Sequence, residues 1–319
     1  MGERLERLNV FAGTYLDRQA HLREREDWLA RVRSDPATVV VPVWQNRNLF
    51  HRGEQLRAVL LHEAQELLCS ADPMRTTLLG QFRGAPCVLV ELEGEAAPVL
   101  APDCEFHELR FYGSLLPADE AGLLAYARAL VLWRSRHRYC GQCGSPNLST
   151  KGGHVLLCSN PACGQEQFPR IDPAIIVLIT DGERALLGRQ ASWPEGRYST
   201  IAGFVEPGES LEDAVRREVK EETDVDVFDI DYHSSQPWPF PSSLMLGFVA
   251  RAQAGAACRC SSELEDARWY SRADVANGLP ALPSSLSISF RLIEDWYNSG
   301  SQLALRDTPG ARLWEIKRP

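Results

Sequence analysis

The chain's 319 residues, 44% hydrophobic and 24% charged, suffice for two or three globular domains, and nothing in them suggests disorder. A formal net charge of −9 argues against a protein that coats nucleic acid non-specifically, because phosphate neutralisation needs dense lysine and arginine; a local basic pocket stays open. There is no window of about 18 apolar residues for a membrane span and no apolar signal core in MGERLERLNV, and four of the nine cysteines have metal-ligand spacing, so we expect a cytoplasmic protein.

Residues 1–133 read as a small, strand-rich domain: Thr38–Val43 and Cys87–Leu92 are short buried-strand patterns, with Leu56–Leu61 a further candidate. From Asp119 to Arg136, Leu123, Leu124, Ala127, Leu130 and Val131 recur at helical spacing, which predicts a packing helix. Arg134, Arg136, His137 and Arg138 at its end have two readings, phosphate contact or a solvated helix terminus. Next come Cys140-x2-Cys143, fourteen intervening residues, then Cys158-x4-Cys163, each knuckle followed by glycine (Gly144, Gly164). Four thiolates at this spacing predict one tetrahedral, structural Zn²⁺ in a ribbon over 134–168; two disulfides are the competing reading, and a reducing compartment speaks against them. Cys69, Cys87, Cys104, Cys258 and Cys260 read as ordinary thiols.

After Phe168-Pro169-Arg170, Ala174–Ile179 is a continuous apolar run typical of a strand buried on both faces. Asp181-Gly182 marks a hairpin turn into Ala185–Arg189, and Tyr198–Val205 leads to a helix capped by Ser210, with Asp213 completing a capping-box pattern. Strand, hairpin, strand, loop and helix imply a mixed sheet sandwiched by helices. On the helical wheel Leu211, Ala214, Val215 and Val219 share one arc, and Glu218 and Glu222 lie inside it. Glu212, Asp213, Arg216, Arg217 and Lys220 take the solvent-facing arc, with Glu221 on the border. Carboxylates one turn apart on a protein-facing arc are costly unless something positive meets them, and a divalent Mg²⁺ or Mn²⁺ is the economical answer. A merely surface-exposed, glutamate-rich helix is the competing reading, which this phase disfavours.

The stretch resembles the Nudix box, matching at Gly203, Glu209, Arg217, Glu218, Val219, Glu221, Glu222 and Val225. Asp224 stands where the box has its second glycine, and Asp tolerates the left-handed backbone expected after a helix better than most residues. Ser235-Gln-Pro-Trp-Pro-Phe-Pro-Ser-Ser243 follows, read as a stiff extended loop that holds Trp238 and Phe240 at a fixed separation. It is similar to the signature of the NADH pyrophosphatase branch of the Nudix hydrolases, which also carries a four-cysteine zinc ribbon before its catalytic domain. Ser284–Tyr297 closes a domain spanning 169–300, and 301–319 is a tail.

The resemblance implies an α+β protein: a Nudix α/β/α sandwich with a mixed sheet, preceded by a zinc ribbon and a strand-rich domain. It implies hydrolysis of the pyrophosphate of NADH or NAD to nicotinamide mononucleotide and AMP, homodimers, and, for some members, removal of NAD caps from RNA 5′ ends. Glu218 and Glu222 are expected as metal ligands, Glu221 as a further ligand or the base, and Arg217 as the group that orients a glutamate such as Glu209. The resemblance adds the Ala202 carbonyl and Glu263 to the metal, Phe168, Ile176, Phe204, Gln236, Trp238, Ser243 and Ser289 around the nucleotide, and Arg110 from the N-terminal domain. Two rivals stay open, hydrolysis of ADP-ribose or another nucleoside diphosphate derivative and a non-catalytic nucleotide sensor.

Overall fold

Residues 8–53, 55–260 and 263–314 are described by a computed structural model. The amino-terminal stretch 1–7 and positions 315–319 of the tail lie outside the described residues. Internal contacts divide the chain into two units: Phe11–Ile171 with Trp238–Ser242, and Asp172–Pro237 with the chain from Ser243 onward and the residues up to Val10.

The first unit holds β1 (Leu16–Asp17), α1 (Glu26–Ser34), β2 (Val39–Trp44), β3 (Arg47–Arg52), β4 (Leu56–Ala58), α2 (Gln65–Ser70), β5 (Thr76–Phe82), β6 (Ala85–Leu92), β7 (Cys104–His107), α3 (Leu109–Tyr112) and α4 (Ala118–Arg136). Its strands run in the order β1-β5-β6-β2-β3-β4, with β7 on β3; β2 and β6 are parallel and the other pairs antiparallel. All six residues of β2 are buried, as its apolar run anticipates. In α4 the five apolar residues of the helical pattern are buried. So is Arg134, which removes it from the phosphate candidates: its guanidinium donates to Thr76 O (2.9 Å) and Thr77 Oγ1 (2.6 Å). The ribbon follows as β8 (Asn147–Thr150), β9 (Val155–Cys158) and β10 (Glu166–Gln167), an antiparallel sheet.

The second unit contains β11 (Asp172–Thr180), β12 (Arg184–Arg189), β13 (Ile201–Phe204), α5 (Leu211–Thr223), β14 (Val227–Trp238), β15 (Ser243–Ala252), β16 (Asp266–Ser271), α6 (Arg272–Ala276) and α7 (Ile288–Gly300). The sheet runs β14-β15-β11-β12-β16, with β13 on β11. β11 is parallel to β15 and antiparallel to β12 and β13, so the sheet is mixed. Alternation along β11 builds both layers. Ile175, Val177 and Ile179 pack with Ala214, Val215 and Val219 of α5, while Ile176 and Leu178 pack with Ile288, Phe290, Leu292 and Ile293 of α7. That is an α/β/α sandwich, and the unbroken apolar run at Ala174–Ile179 is its sequence trace.

One element departs from the sequence expectation. Ser235–Trp238 is the end of strand β14 and Ser243 the start of β15, so the proline-rich signature is a hairpin around a turn at 239–242, not an extended loop. β14 is the outer strand, where Pro237, lacking an N–H, is tolerated.

Candidate active site

Helix α5 starts as its sequence dictates. Ser210 Oγ accepts the N–H of Asp213 (3.2 Å) and donates to its carboxylate (2.7 Å). The helix ends at Asp224, whose φ of 56° is the left-handed conformation usually supplied by glycine. Between these caps the predicted phase holds: Ala214, Val215 and Val219 are buried, and Glu218 and Glu222 beside them are only 8% and 7% exposed. Gly203 on β13 explains the first glycine of the box, because a Cβ there would overlap the Glu218 carboxylate.

Arg217 corrects the wheel. It was expected on the solvent-facing arc, yet its side chain is 23% exposed, because a long arginine folds back across the helix start. Nε and Nη2 donate to the two oxygens of Glu209 (2.5 and 2.9 Å), Nη1 to Glu218 Oε1 (2.8 Å) and Glu221 Oε2 (3.1 Å), and Nη2 also to Phe204 O (2.9 Å). The bidentate grip, with a further bond from the Glu206 N–H (2.9 Å), holds the Glu209 carboxyl down at about 2. Glu218, pulled down by Arg217, is still raised overall by burial.

Glu222 has no such partner among the described residues. Burial first, then the charges of Glu218, Glu263 and Glu221, push its carboxyl up to about 8. A partly buried carboxylate surrounded by like charge is the donor set a hard divalent cation fits, with Glu218 and Glu222 as anionic ligands. Among the described residues only the four ribbon cysteines form a group of three or more potential ligands whose donor atoms all lie within 4.8 Å of one another.

Those cysteines fit zinc. Sγ of Cys140 and Cys163 are 3.8 Å apart, and those of Cys143 and Cys158 3.4 Å. A tetrahedron with Zn–S of about 2.3 Å has S–S edges of about 3.8 Å. All four are free thiols, so the disulfide reading falls. Gly144 and Gly164, at φ of 74° and 59°, turn each knuckle so that its N–H reaches back to Cys140 O and Asn160 O.

Comparison with known proteins fits this layout. A NUDIX domain model matches residues 170–289, an NADH pyrophosphatase zinc ribbon domain model 135–168, and an NADH pyrophosphatase-like rudimentary NUDIX domain model 37–133. The NAD-capped RNA hydrolase NudC of Stutzerimonas stutzeri (strain A1501) is 44% identical over 68% of this chain and 75% of that protein. The chain belongs to the NADH pyrophosphatase branch of the Nudix hydrolases. The human NAD-capped RNA hydrolase NUDT12 is 33% identical over 90% of this chain and 73% of its own length. A solved NUDIX hydrolase of Nitrosomonas europaea is similar with a TM-score of 0.43 at 18% identity, covering 55% of this chain and 97% of that one.

The other residues expected from this Nudix branch divide between the two units. In the catalytic-type unit, Ala202 and Phe204 are exposed on β13, Glu263 is exposed before β16, and Ser243 opens β15 opposite Asp172. Gln236 and Ser289 are fully buried, and Ile176 is 5% exposed. Gln236 donates to Val10 O and Leu286 O and accepts from the Ile288 N–H, which commits its amide to backbone. Ser289 Oγ accepts from Thr200 N and Oγ1. All three are packed inside the unit as it stands without a ligand. In the other unit, Phe168 is 62% exposed, and Trp238 and Phe240 pack edge-on at 5.3 Å, both against Phe11.

Sequence reading missed Arg128. Its guanidinium lies over the Phe240 ring and donates to Pro239 O (3.1 Å) and Asn46 O, and Arg110 lies over the same ring at 5.1 Å. An arginine in mid-helix, one turn past a buried Leu124, carries no local signal of this task.

Proposed function

We propose that this chain hydrolyses the pyrophosphate bond of NADH or NAD to nicotinamide mononucleotide and AMP, and cleaves the same bond in NAD-capped RNA. One observation carries the reading: the paired, protein-facing carboxylates of Glu218 and Glu222 on the Nudix helix, with nothing positive meeting Glu222 among the described residues. Glu218 and Glu222, with Glu263 and the Ala202 carbonyl, would hold Mg²⁺ or Mn²⁺, which when bound neutralises pyrophosphate charge and activates water. Glu221, more than half exposed, takes the proton of the attacking water or adds a further ligand. Arg217 fixes Glu209, Glu218 and Glu221 in register. The water oxygen bonds to one phosphorus as the bridging P–O bond breaks, leaving two monophosphates.

We assign nucleotide recognition to Phe168, Ile176, Phe204, Gln236, Trp238, Ser243 and Ser289, and to Arg110, which lies over the Phe240 ring. The relatives' names support NAD-capped RNA as a substrate. We assign the chain a homodimeric, cytoplasmic state and the division 1–133, 134–168, 169–300 and 301–319; no helix among the described residues is long and apolar enough to cross a membrane. A panel of NADH, NAD⁺, ADP-ribose and NAD-capped RNA with Mg²⁺ or Mn²⁺ tests the assignment. The expected result is turnover of the NAD substrates above ADP-ribose; preference for ADP-ribose would overturn it.

A further inference from the structure

The segment 253–260 follows β15 and belongs to the same unit as α5. Two bonds hold it down: Trp269 Nε1 donates to Ala256 O (3.0 Å), and the Arg259 N–H donates to Thr223 O (3.0 Å). Thr223 ends α5 and follows Glu222, so the Arg259 peptide rests on the carboxyl end of the helix that carries the paired carboxylates. Cys258 and Cys260 stand on either side of Arg259, and among the five cysteines outside the ribbon only these two are close in sequence. Both are free thiols with different access. Cys258 is half-buried against the core formed with Ala214, Val215 and Val219 of α5, whereas Cys260 is exposed. Burial first, then its neighbour Cys260 and the carboxylates of Asp266 and Asp224, push the Cys258 thiol up to about 11. A thiol that reagents can reach thus has a shielded thiol beside it, as an oxidant-sensing cysteine has its resolving partner.

Spacing alone reads these two as ordinary thiols, and a solitary exposed cysteine such as Cys69 stays one. The second thiol changes that. Two residues of extended chain span at most about 7 Å, so a slight bend between them brings the Cα atoms into the roughly 4.4–6.8 Å of a disulfide. We propose that Cys258 and Cys260 form a reversible disulfide under hydrogen peroxide, and that this bond weakens the metal site of α5. The bond stands on the segment alone; its effect rests on the proposed function, which takes Glu222 and Glu263 as metal ligands. The Cys260 thiolate attacks one peroxide oxygen, the O–O bond breaks, and a sulfenic acid forms as hydroxide leaves. The Cys258 sulfur then displaces hydroxide from the Cys260 sulfur, and the two thiol protons leave with both hydroxides as water. Both peptides between the cysteines enter the ring, including the N–H that Thr223 O accepts, and Glu263 lies three residues beyond Cys260. Closure therefore resets the anchor on α5 and the approach to Glu263 together.

Treatment of the zinc-loaded full chain with hydrogen peroxide, read by peptide mass, zinc content and Mn²⁺ binding, tests this apart from hydrolysis. The peptide that holds both cysteines should lose the mass of two hydrogens and regain it with a dithiol reductant. Mn²⁺ affinity and kcat/KM for NADH should fall roughly tenfold and recover with the reductant, the scale of disturbing the outer support of a metal site. Cys260→Ser, treated alike, should keep both within about twofold, well inside that scale. Cys258→Ala should leave a sulfenic acid on Cys260 that a 1,3-dicarbonyl reagent traps. Absence of the disulfide in the treated wild type would overturn the proposal. So would an equal loss in Cys260→Ser, which with zinc released would assign the effect to the ribbon thiols. A disulfide that leaves Mn²⁺ affinity unchanged would overturn the coupling to α5. A chain that turns over no NAD substrate yet shows the disulfide and the weakened Mn²⁺ binding would sink the proposed function and leave the switch standing.

Discussion

Arg217 makes five hydrogen bonds to three carboxylates and a carbonyl. Only a planar guanidinium has donors for that, so Arg217→Lys keeps the charge and loses the fork. A hydrogen bond to a charged group is worth about 1.5–3 kcal/mol, so kcat should fall roughly ten- to a hundredfold with the fold intact; steady-state kinetics with NADH checks this. Glu222 makes a prediction about pH. Its folded carboxyl, at about 8, is raised from the ordinary 4.5, so the folded state binds the proton more tightly. The contribution is present below pH 4.5 and lost as pH rises toward 8. Metal-free wild type should therefore lose stability across that window relative to Glu222→Gln. Melting temperatures of the two proteins with chelator present, followed from acid to alkaline pH, read the difference; parallel curves would show that Glu222 is already neutralised within the chain.

At the scale of elements, the apolar phase of α5 was legible because a helix fixes which residues face inward, and the left-handed cap at Asp224 was legible because only a few side chains accept it. The direction of Arg217 was not, since a flexible stem can reach back over its own helix. Nor did the sequence show that Gln236 and Ser289 are fully buried, because a polar side chain in a strand or helix carries no local sign of which face it takes. The signature hairpin was misread for a related reason: prolines suggest a loop, but on an outer strand the missing N–H costs no ladder bond. Trp238→Ala tests what that hairpin does. A base–aromatic contact is worth about 1–3 kcal/mol, so kcat/KM for NADH should fall roughly ten- to a hundredfold while a small pyrophosphate substrate is spared. Because Trp238 also packs on Phe11 and Phe240, the melting temperature should fall too, and equal losses on both substrates would reduce the hairpin to scaffolding.

For the whole molecule, the ribbon was readable from four cysteines and two glycines, while the strand-rich domain before it yielded strands and no chemistry. It matches a rudimentary NUDIX domain over residues 37–133, and among the described residues the glutamate helix lies outside that match, at 211–223. Cys143→Ser should lower zinc content below one per chain and depress the melting temperature, since metal binding is folding energy at such a site. Unchanged zinc and stability would dismiss the structural role. The central claim is that the inward carboxylates of the Nudix helix run NAD pyrophosphate hydrolysis, and product analysis of NADH with wild type and Glu222→Gln at saturating Mg²⁺ or Mn²⁺ meets it most directly. Wild type should release nicotinamide mononucleotide and AMP in equal amounts, and the variant, folded and stable, should lose about a hundredfold or more in rate, as removing a ligand of a metal worth several kcal/mol requires. Turnover of the variant at the wild-type rate, or wild-type products other than these two monophosphates, would contradict it.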